Sequence, residues 1–308
     1  MTTTAQPIPV ETEPKQSRFA FGRKSRYADP GGAHWSVKLA VLLICFFWIV
    51  PAFGTLVTSF RTEGDANGSG WWTVFNPAKW DGFTLSNYHD AIVNAKLGEA
   101  LINSFAIALP ATFIPILIAA FAAYAFSFMQ FWGRDVIFFA LVSFLVVPNL
   151  VALVPILKLY SSYGLNGSFP AVWLFHIGFG MSLAIFLFRN YMSTLPREVI
   201  ESAKVDGASH YATFYRLIIP MSTPVLASFA IFQFLWVWND LLVALVFIGP
   251  GDNAPLTVSV KNNLIGQQGQ GWNLVTAGGI LTMIVPIIVF LALQRYFVRG
   301  LTAGSVKG

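Results

Sequence analysis

The chain has few of the residues on which soluble enzymes and disulfide-rich domains depend. Its 308 residues include one cysteine, Cys45, so neither an intrachain disulfide nor a cysteine-based metal site can form. Charged residues make up 11% of the chain, whereas a soluble domain averages about 25%. The four histidines are scattered and show no metal-ligand spacing: His34, His89, His176 and His210. These shortages exclude a disulfide scaffold and disfavour an ordinary soluble protein.

The sequence also lacks the short motifs of nucleotide-dependent and hydrolytic enzymes. It contains no G-x-x-x-x-G-K-[ST] phosphate-binding loop, no H-E-x-x-H and no G-x-S-x-G. Residues 22–25, Gly-Arg-Lys-Ser, look superficially similar to the end of a phosphate-binding loop, but the upstream glycine and the strand are missing. We therefore expect this chain to bind no metal and no cofactor and to contain no catalytic residues, which disfavours an intramembrane enzyme.

Hydrophobic residues dominate what is present. They make up 56% of the chain, and the mean hydropathy is +0.64. Membrane helices tolerate internal prolines when neighbouring helices bond the freed carbonyls, so we expect a packed and kinked bundle. The chain is predicted to be an all-α membrane protein, with six transmembrane helices that each approach the ~20 residues a bilayer requires. We place them at about 37–59, 101–127, 136–159, 170–192, 222–248 and 274–297.

Lysine and arginine are distributed unevenly between the predicted loops. If the N-terminus is cytoplasmic, fourteen of the nineteen basic residues lie on the inner side. Cytoplasmic loops carry such an excess, so both termini are predicted to be cytoplasmic. Residues 1–35 are polar and lack apolar periodicity, which indicates a disordered tail. The six-helix transmembrane domain then covers 36–299, with a core of about 101–299, and 300–308 form a short C-terminal tail.

The most polar stretch between two apolar runs is 196–220, PREVIESAKVDGASHYATFYRLIIP. Its charge density excludes it from hydrocarbon, and the predicted topology places it in the cytoplasm. Pro196 suits a first helical turn, and Gly207 can end that helix in the left-handed conformation. Ser209 is then a suitable N-cap for a second short helix, which Pro220 limits. A linker needs no such order, so we predict a docking element.

This loop resembles the EAA loop of ABC-importer permeases, E-A-A-x-x-x-G followed by a distal I-x-x-P or I-x-P. It departs from the family at Ser202, where alanine is usual and another small side chain should still permit docking. The segment 238–241, W-N-D-L, and the tail 300–308 resemble maltose-type sugar permeases. The resemblance covers roughly 101–308. The candidate ATPase-coupling residues are Glu201, Ser202, Ala203, Asp206, Gly207 and Ala208.

The resemblance implies the MetI-like fold of ABC type I importers and the maltose/carbohydrate permease subfamily. A partner ATPase dimer would bind ATP and magnesium, a second homologous permease would complete the translocation path, and an extracytoplasmic sugar-binding protein would deliver the solute. The location implied is the bacterial inner membrane. The resemblance does not identify the sugar.

The C-terminal tail has its own implied role. By the same resemblance it would contact the ATPase, with Leu301 and Lys307 as its candidate residues. Position 305 is also considered, for a glycine contact, and is assigned no role.

Few polar residues lie within the predicted spans, and a carboxylate there is costly. Asp240 follows Asn239 in the fifth predicted span, and Gln233 lies seven residues earlier on what should be the same helix face. Two interpretations remain open: these residues line the translocation path, or they brace the interface with the partner permease. His176, in the fourth span, is interpreted as a hydrogen-bonded packing residue.

Two outer loops complete the predicted topology. Residues 61–100 include three tryptophans, which suit the membrane interface, and 249–273 are rich in glycine, glutamine and asparagine. The second loop either binds sugar hydroxyls or is a flexible solvated segment. The alternative function is a secondary transporter for a small polar solute. It is less favoured because such proteins usually show inverted repeats and several intramembrane charges.

Overall fold

The computed structural model describes residues 34–79, 82–265 and 271–302. The chain divides into two compact units, 1–50 and 51–308. The described part of the first unit is the beginning of helix α1, Trp35–Ser59, and the other helices belong to the second unit. Except for its last two residues, the tail predicted to be disordered lies outside the described residues.

The described chain is helical, apart from loops and an isolated β-bridge between Arg61 and Phe83. The helices that follow α1 are α2 (Leu97–Phe128), α3 (Arg134–Ser143), α4 (Asn149–Ser162), α5 (Phe169–Met192), α6 (Arg197–Val205), α7 (His210–Trp238), α8 (Leu242–Phe247) and α9 (Trp272–Thr302). Shorter helical turns are Glu63–Gly68, Trp71–Phe75, Pro77–Lys79, Ser86–His89, Asp90–Asn94, Phe144–Val146, Leu256–Ser259 and Val260–Ile265.

Within the described residues, five helices are long and apolar enough to cross a membrane: α1, α2, α5, α7 and α9. A sixth candidate is the pair α3–α4, which is bent by 100°. The predicted third span, 136–159, is therefore corrected from one helix to a broken one. The cause is Pro148, because a residue before proline disfavours the helical conformation, and Val147 is extended (φ −73°, ψ 117°).

The fifth predicted span, 222–248, begins earlier and ends sooner than expected. Helix α7 starts at His210, includes a π-helical turn over Phe214–Ile218, and ends at Trp238. Pro220 therefore does not end a helix, and this prediction was wrong. It lies just after the π-helical turn, where the regular i→i−4 hydrogen bonds are already interrupted, so the helix continues past a residue without an N–H.

The second unit is held together by close helix crossings. Helix α2 packs along α5, while α7 lies against α2, α5 and α9. Small residues at such crossings let membrane helices approach closely. Alanines with almost no exposed surface fill this role on α2 and α5: Ala108, Ala111, Ala119, Ala120, Ala123, Ala171 and Ala184.

Prolines inside the spans provide hydrogen-bond acceptors that neighbouring helices use. Pro110, Pro115 and Pro286 each lack the N–H that would bond the carbonyl four residues earlier. Each freed carbonyl accepts a side-chain N–H from another helix: Trp173 Nε1 donates to Ala106 (3.0 Å), Gln233 Nε2 to Ala111 (3.1 Å) and Trp238 Nε1 to Thr282 (3.1 Å). At these three positions, the predicted bonding by neighbouring helices is confirmed, and it joins α5 to α2, α7 to α2 and α7 to α9.

The predicted topology can be checked with reporter fusions. Fusions after Val57, Leu159 and Phe247 should all report an external position, because the positive charges lie on the other side. The ring of Tyr160 lies 5.2 Å from that of Phe247, so the ends of α4 and α8 share one side. A fusion after Thr194, just before α6, is the control and should report the cytoplasm. A cytoplasmic signal at any of the first three positions would contradict the topology.

Candidate functional site

The polar loop predicted to dock forms helix α6, a glycine turn and the start of α7. Helix α6 ends in a Schellman motif, in which the Gly207 N–H donates to the Lys204 carbonyl (3.0 Å) and the Ala208 N–H to the Ala203 carbonyl (2.9 Å). Gly207 has φ +78°, so the predicted left-handed conformation is confirmed. The angle between α6 and α7 is therefore set by two backbone hydrogen bonds and one glycine.

The start of α7 is held in place by an N-cap and by contacts with α2. The Ser209 side chain accepts a hydrogen bond from the Ala212 N–H (3.2 Å), which confirms it as the N-cap. The Tyr124 hydroxyl of α2 lies 3.0 Å from His210 Nδ1, and its ring packs against that of Phe214 (5.4 Å). The first residues of α7, directly after the glycine turn, are therefore in contact with α2.

The faces of α6 differ from the prediction at one residue. Glu201, Ser202, Asp206 and Gly207 are exposed and Ala208 is half-buried. Ala203 is buried beside Ile200, because a three-residue spacing puts both on the core face of the helix. Its assignment to the docking surface is corrected.

The outermost face of α6 carries a residue that the sequence analysis missed. Val205 has 87% of its surface exposed, and Glu198 and Ser202 lie on the same face at helical spacing. An exposed β-branched side chain at the end of a short helix is an apolar contact point. Helical spacing in the sequence could have predicted this exposure, since Val205 lies opposite Ile200 on the helix.

A second group of polar side chains lies buried where three helices cross. The Gln233 side chain of α7 is fully buried, and its Nε2 donates to the carbonyls of Ala111 (3.1 Å) and His176 (3.2 Å). Gly180 makes room for it, because a Cβ there would come within 2.6 Å of Gln233 Oε1. Gln233 thus links α7 to both α2 and α5.

His176 connects this crossing to Asp240. Its side chain has no exposed surface, its Nδ1 donates to the Val172 carbonyl (3.0 Å), and its Nε2 lies 3.3 Å from Asp240 Oδ2. The interpretation of His176 as a hydrogen-bonded packing residue is confirmed, and its partner is the carboxylate that the sequence singled out. The sequence placed Gln233 on the same face as Asp240, but it did not indicate that His176 lies between them.

Asp240 is not in the middle of a span. Helix α7 ends at Trp238, and Asp240 Oδ1 accepts a hydrogen bond from the Val243 N–H (2.8 Å) at the start of α8. The Asp240 carbonyl accepts from Thr257 Oγ1 (2.9 Å). The missed signal is the dipeptide Asn239-Asp240, because both residue types favour caps and turns over helix interiors.

Asp240 and Asn239 differ in their exposure and in their hydrogen-bond partners. The Asp240 side chain is 12% exposed, while Asn239 is exposed and its Nδ2 donates to the Leu235 carbonyl (2.8 Å). The described partners of Asp240 belong to α5, α8 and the turn Leu256–Ser259. For the exposed part of the Asp240 side chain, both interpretations stay open: it lines the translocation path, or it lies at the interface with the partner permease.

The predicted absence of a metal site can be compared with the geometry. Among the described residues, no group of histidine, cysteine, aspartate and glutamate is placed to hold a metal ion.

The C-terminal tail lies almost wholly outside the described residues. Position 305, which was considered for a glycine contact and assigned no role, is a serine, Ser305, and the glycine of this segment precedes it as Gly304. Position 305 and Lys307 lie beyond the described residues, and only the helical backbone of Leu301 is described. The tail contact through Leu301 and Lys307 thus stays a prediction.

Comparison with known proteins identifies the family. A sequence model of the family described as "Binding-protein-dependent transport system inner membrane component" matches residues 102–303. The osmoprotective compounds uptake permease protein GgtD of Synechocystis is 52% identical over 273 residues, covering 88% of this chain and 91% of that protein. The alpha-glucoside transport system permease protein AglG of Rhizobium meliloti is 50% identical over 258 residues, covering 82% of this chain and 67% of that protein.

The fold is shared with a solved transporter. A chain in the crystal structure of a bacterial alginate ABC transporter, in complex with an alginate pentasaccharide-bound periplasmic protein, superposes with a TM-score of 0.58. The sequence identity is 14%, and the match covers 84% of this chain and 93% of that one. The predicted importer-permease fold class is confirmed. The protein belongs to the family of binding-protein-dependent transport system inner membrane components.

Proposed function

We propose that the chain is a membrane-spanning subunit of an ATP-driven importer for alpha-glucosides or related sugars. The observation that carries this proposal is its 50–52% identity, over most of its length, to two permeases named for the uptake of osmoprotective compounds and alpha-glucosides. It forms half of a translocation path, and a second permease of the same kind forms the other half. An extracytoplasmic binding protein delivers the sugar.

The energy for transport enters through α6 and the glycine turn. The exposed Glu201 is available for a charge-assisted contact with an arginine of an ATPase subunit, a contact that contributes roughly 1–3 kcal/mol. Val205 supplies an apolar contact beside it, and Gly207 lets the partner approach closely because nothing lies within 4 Å of its Cβ position. ATP and magnesium bind to the ATPase dimer rather than to this chain.

The contacts behind α6 provide a route for coupling. When the ATPase subunits close, α6 moves with them, and the contacts of Tyr124 with His210 and Phe214 transfer that motion to α2 and α7. Gln233 joins the same two helices to α5 deeper in the bundle. The helices then move together, which is what alternation between inward-facing and outward-facing states requires.

Reconstitution tests this function against the secondary-transporter alternative. The full chain, co-expressed with its partner permease, should co-purify with an ATPase that contains a phosphate-binding loop. In vesicles, uptake of a labelled alpha-glucoside should need internal ATP and external binding protein. Uptake that persists without ATP and follows an ion gradient would overturn the proposal. An ATPase mutated in its phosphate-binding lysine is the control.

Deletion of the C-terminal tail tests whether the tail contacts the ATPase. Removing Leu301–Gly308 should leave membrane insertion intact and lower solute-stimulated ATP hydrolysis by roughly fivefold, which corresponds to about 1 kcal/mol of contact energy. The measurement is ATPase activity in vesicles with and without binding protein and sugar. The matched control replaces the same residues with a glycine-serine tail of equal length. Full stimulation in the deletion variant would show that the tail has no part in coupling.

A further inference from the structure

We propose that a cleft on the flank of α6 binds the phosphodiester headgroup of an anionic phospholipid. The cleft has a volume of about 200 Å³ and lies between the end of α2, the start of α3 and α6. Its polar lining comes from all three elements: Ser127, Gln130, Arg134, Arg197, Glu201 and Lys204. It lies beside the outermost face of α6, which carries Glu198, Ser202 and Val205.

Unpaired cations converge on this cleft. Arg197, Glu201 and Lys204 follow one flank of α6 at spacings of four and three residues. Even so, the side chains of Arg197 and Lys204 form no ion pair or hydrogen bond within the described part of the chain. Their charged groups are therefore available to a ligand.

The balance of charge fits one phosphodiester. Arg134 contributes the third cation, and it is partly engaged: its Nε donates to Asp135 Oδ1 (3.1 Å), and its Nη1 to the Met129 carbonyl (3.4 Å). In the permease without its ATPase, these three cations together with the carboxylates of Asp135 and Glu201 leave a net charge of +1. A phosphodiester carries one negative charge, so a single headgroup neutralises the cleft.

The position of the cleft favours a lipid over free phosphate. Helices α2 and α5 end at Phe128 and Met192, so the apolar spans give way to polar loops at this level. Trp132 is 96% exposed two residues before Arg134, and exposed tryptophans are typical of the headgroup region of a membrane. On α3, the exposed side chains of Val136 and Phe139 offer an apolar surface to an acyl chain. A lipid would use both the cations and this surface, whereas free phosphate would use only the cations.

Lipid retention by the full-length permease tests the proposal. The protein is titrated with phosphatidylglycerol in phosphatidylcholine-containing micelles, and the bound lipid is counted by native mass spectrometry. Basic residues near anionic lipid contribute roughly fivefold each to affinity, so Arg197→Gln with Lys204→Gln should weaken phosphatidylglycerol binding by about 30-fold. Arg216→Gln is the matched control, because Arg216 is exposed near the start of α7 and does not line the cleft. It should bind the lipid as the wild type does.

The other possible results also support or overturn lipid binding in the cleft. Equal losses in the double variant and in Arg216→Gln would mean general surface attraction and would overturn the site. Displacement of the lipid by inorganic phosphate, but not by chloride at the same ionic strength, would show a free-anion site instead. If the double variant does not fold, Lys204→Gln should weaken binding and Lys204→Arg should retain it. The measurement needs neither ATPase nor sugar, so its result is independent of the proposed transport function.

Discussion

Gly207→Val is expected to abolish the stimulation of ATP hydrolysis by binding protein and sugar, while the membrane helices stay folded and inserted. Valine at φ +78° is strained by roughly 1–3 kcal/mol. Relief of that strain breaks the hydrogen bonds that Gly207 and Ala208 donate to the end of α6. The turn then loses its angle, and a branched side chain stands where the partner should approach. We expect stimulation to fall by about tenfold or more, the equivalent of ~1.4 kcal/mol or more.

The control for Gly207→Val is the same substitution at a similar turn elsewhere. Gly164 has φ +68°, and nothing lies within 4 Å of its Cβ position. Gly164→Val therefore introduces comparable strain between α4 and α5, on the side predicted to be external. It should lower thermal stability by a similar amount and leave stimulation unchanged. If both variants lose stimulation equally, the effect of Gly207→Val is general destabilisation.

Charge reversal at Glu201 tests the same surface without backbone strain. Glu201→Lys should reduce both the pull-down of the ATPase and the stimulation, because an exposed carboxylate becomes a cation facing the proposed arginine. Glu198→Lys, one turn earlier on α6, is the comparison and should have a smaller effect. Wild-type pull-down and stimulation in both Gly207→Val and Glu201→Lys would mean that this loop is not the coupling element.

Asp240→Leu is expected to destabilise the helix bundle strongly. The leucine leaves His176 Nε2 without its partner and the Val243 N–H without its acceptor. Each buried polar group left without a hydrogen-bond partner costs roughly 1–3 kcal/mol. Asp240→Asn keeps an acceptor for the Val243 N–H and should cost only about 1 kcal/mol, since neutral hydrogen bonds are about half as strong as charge-assisted ones. Thermal unfolding of the purified permease measures both.

A neighbouring substitution and a double mutant sharpen this test. Asn239→Leu alters an exposed residue that bonds only its own helix among the described contacts, so it should cost less than Asp240→Leu. The costs of His176→Phe and Asp240→Leu should not add, because the two residues share one contact. A stable Asp240→Leu variant that fails to transport would point to the translocation path or the partner interface. Full stability with full transport would exclude a role for Asp240 in bundle stability, in the translocation path and at the partner interface.

Local rules were sufficient for much of the fold and of the docking element. The apolar runs predicted the spans because a bilayer requires about 20 apolar residues from each crossing helix. The glycine turn and the N-cap were predicted correctly, since Gly207 and Ser209 act through backbone groups one to three residues away. The same kind of rule failed at Pro220, which was taken as a helix limit although the preceding π-helical turn lets the helix continue through it.

The tertiary structure decided whatever depends on which helices cross. No local pattern pairs His176 with Asp240 or brings Gln233 to the carbonyl freed by Pro115, because these groups meet only when α5, α7 and α2 pack. The burial of Ala203 likewise depends on the helices behind α6. The sequence by itself determined an all-helical membrane protein with an ordered polar loop, since hydropathy and capping act within one segment. Packing decided the polar contacts within the bundle, because a buried donor takes whichever acceptor the neighbouring helix presents.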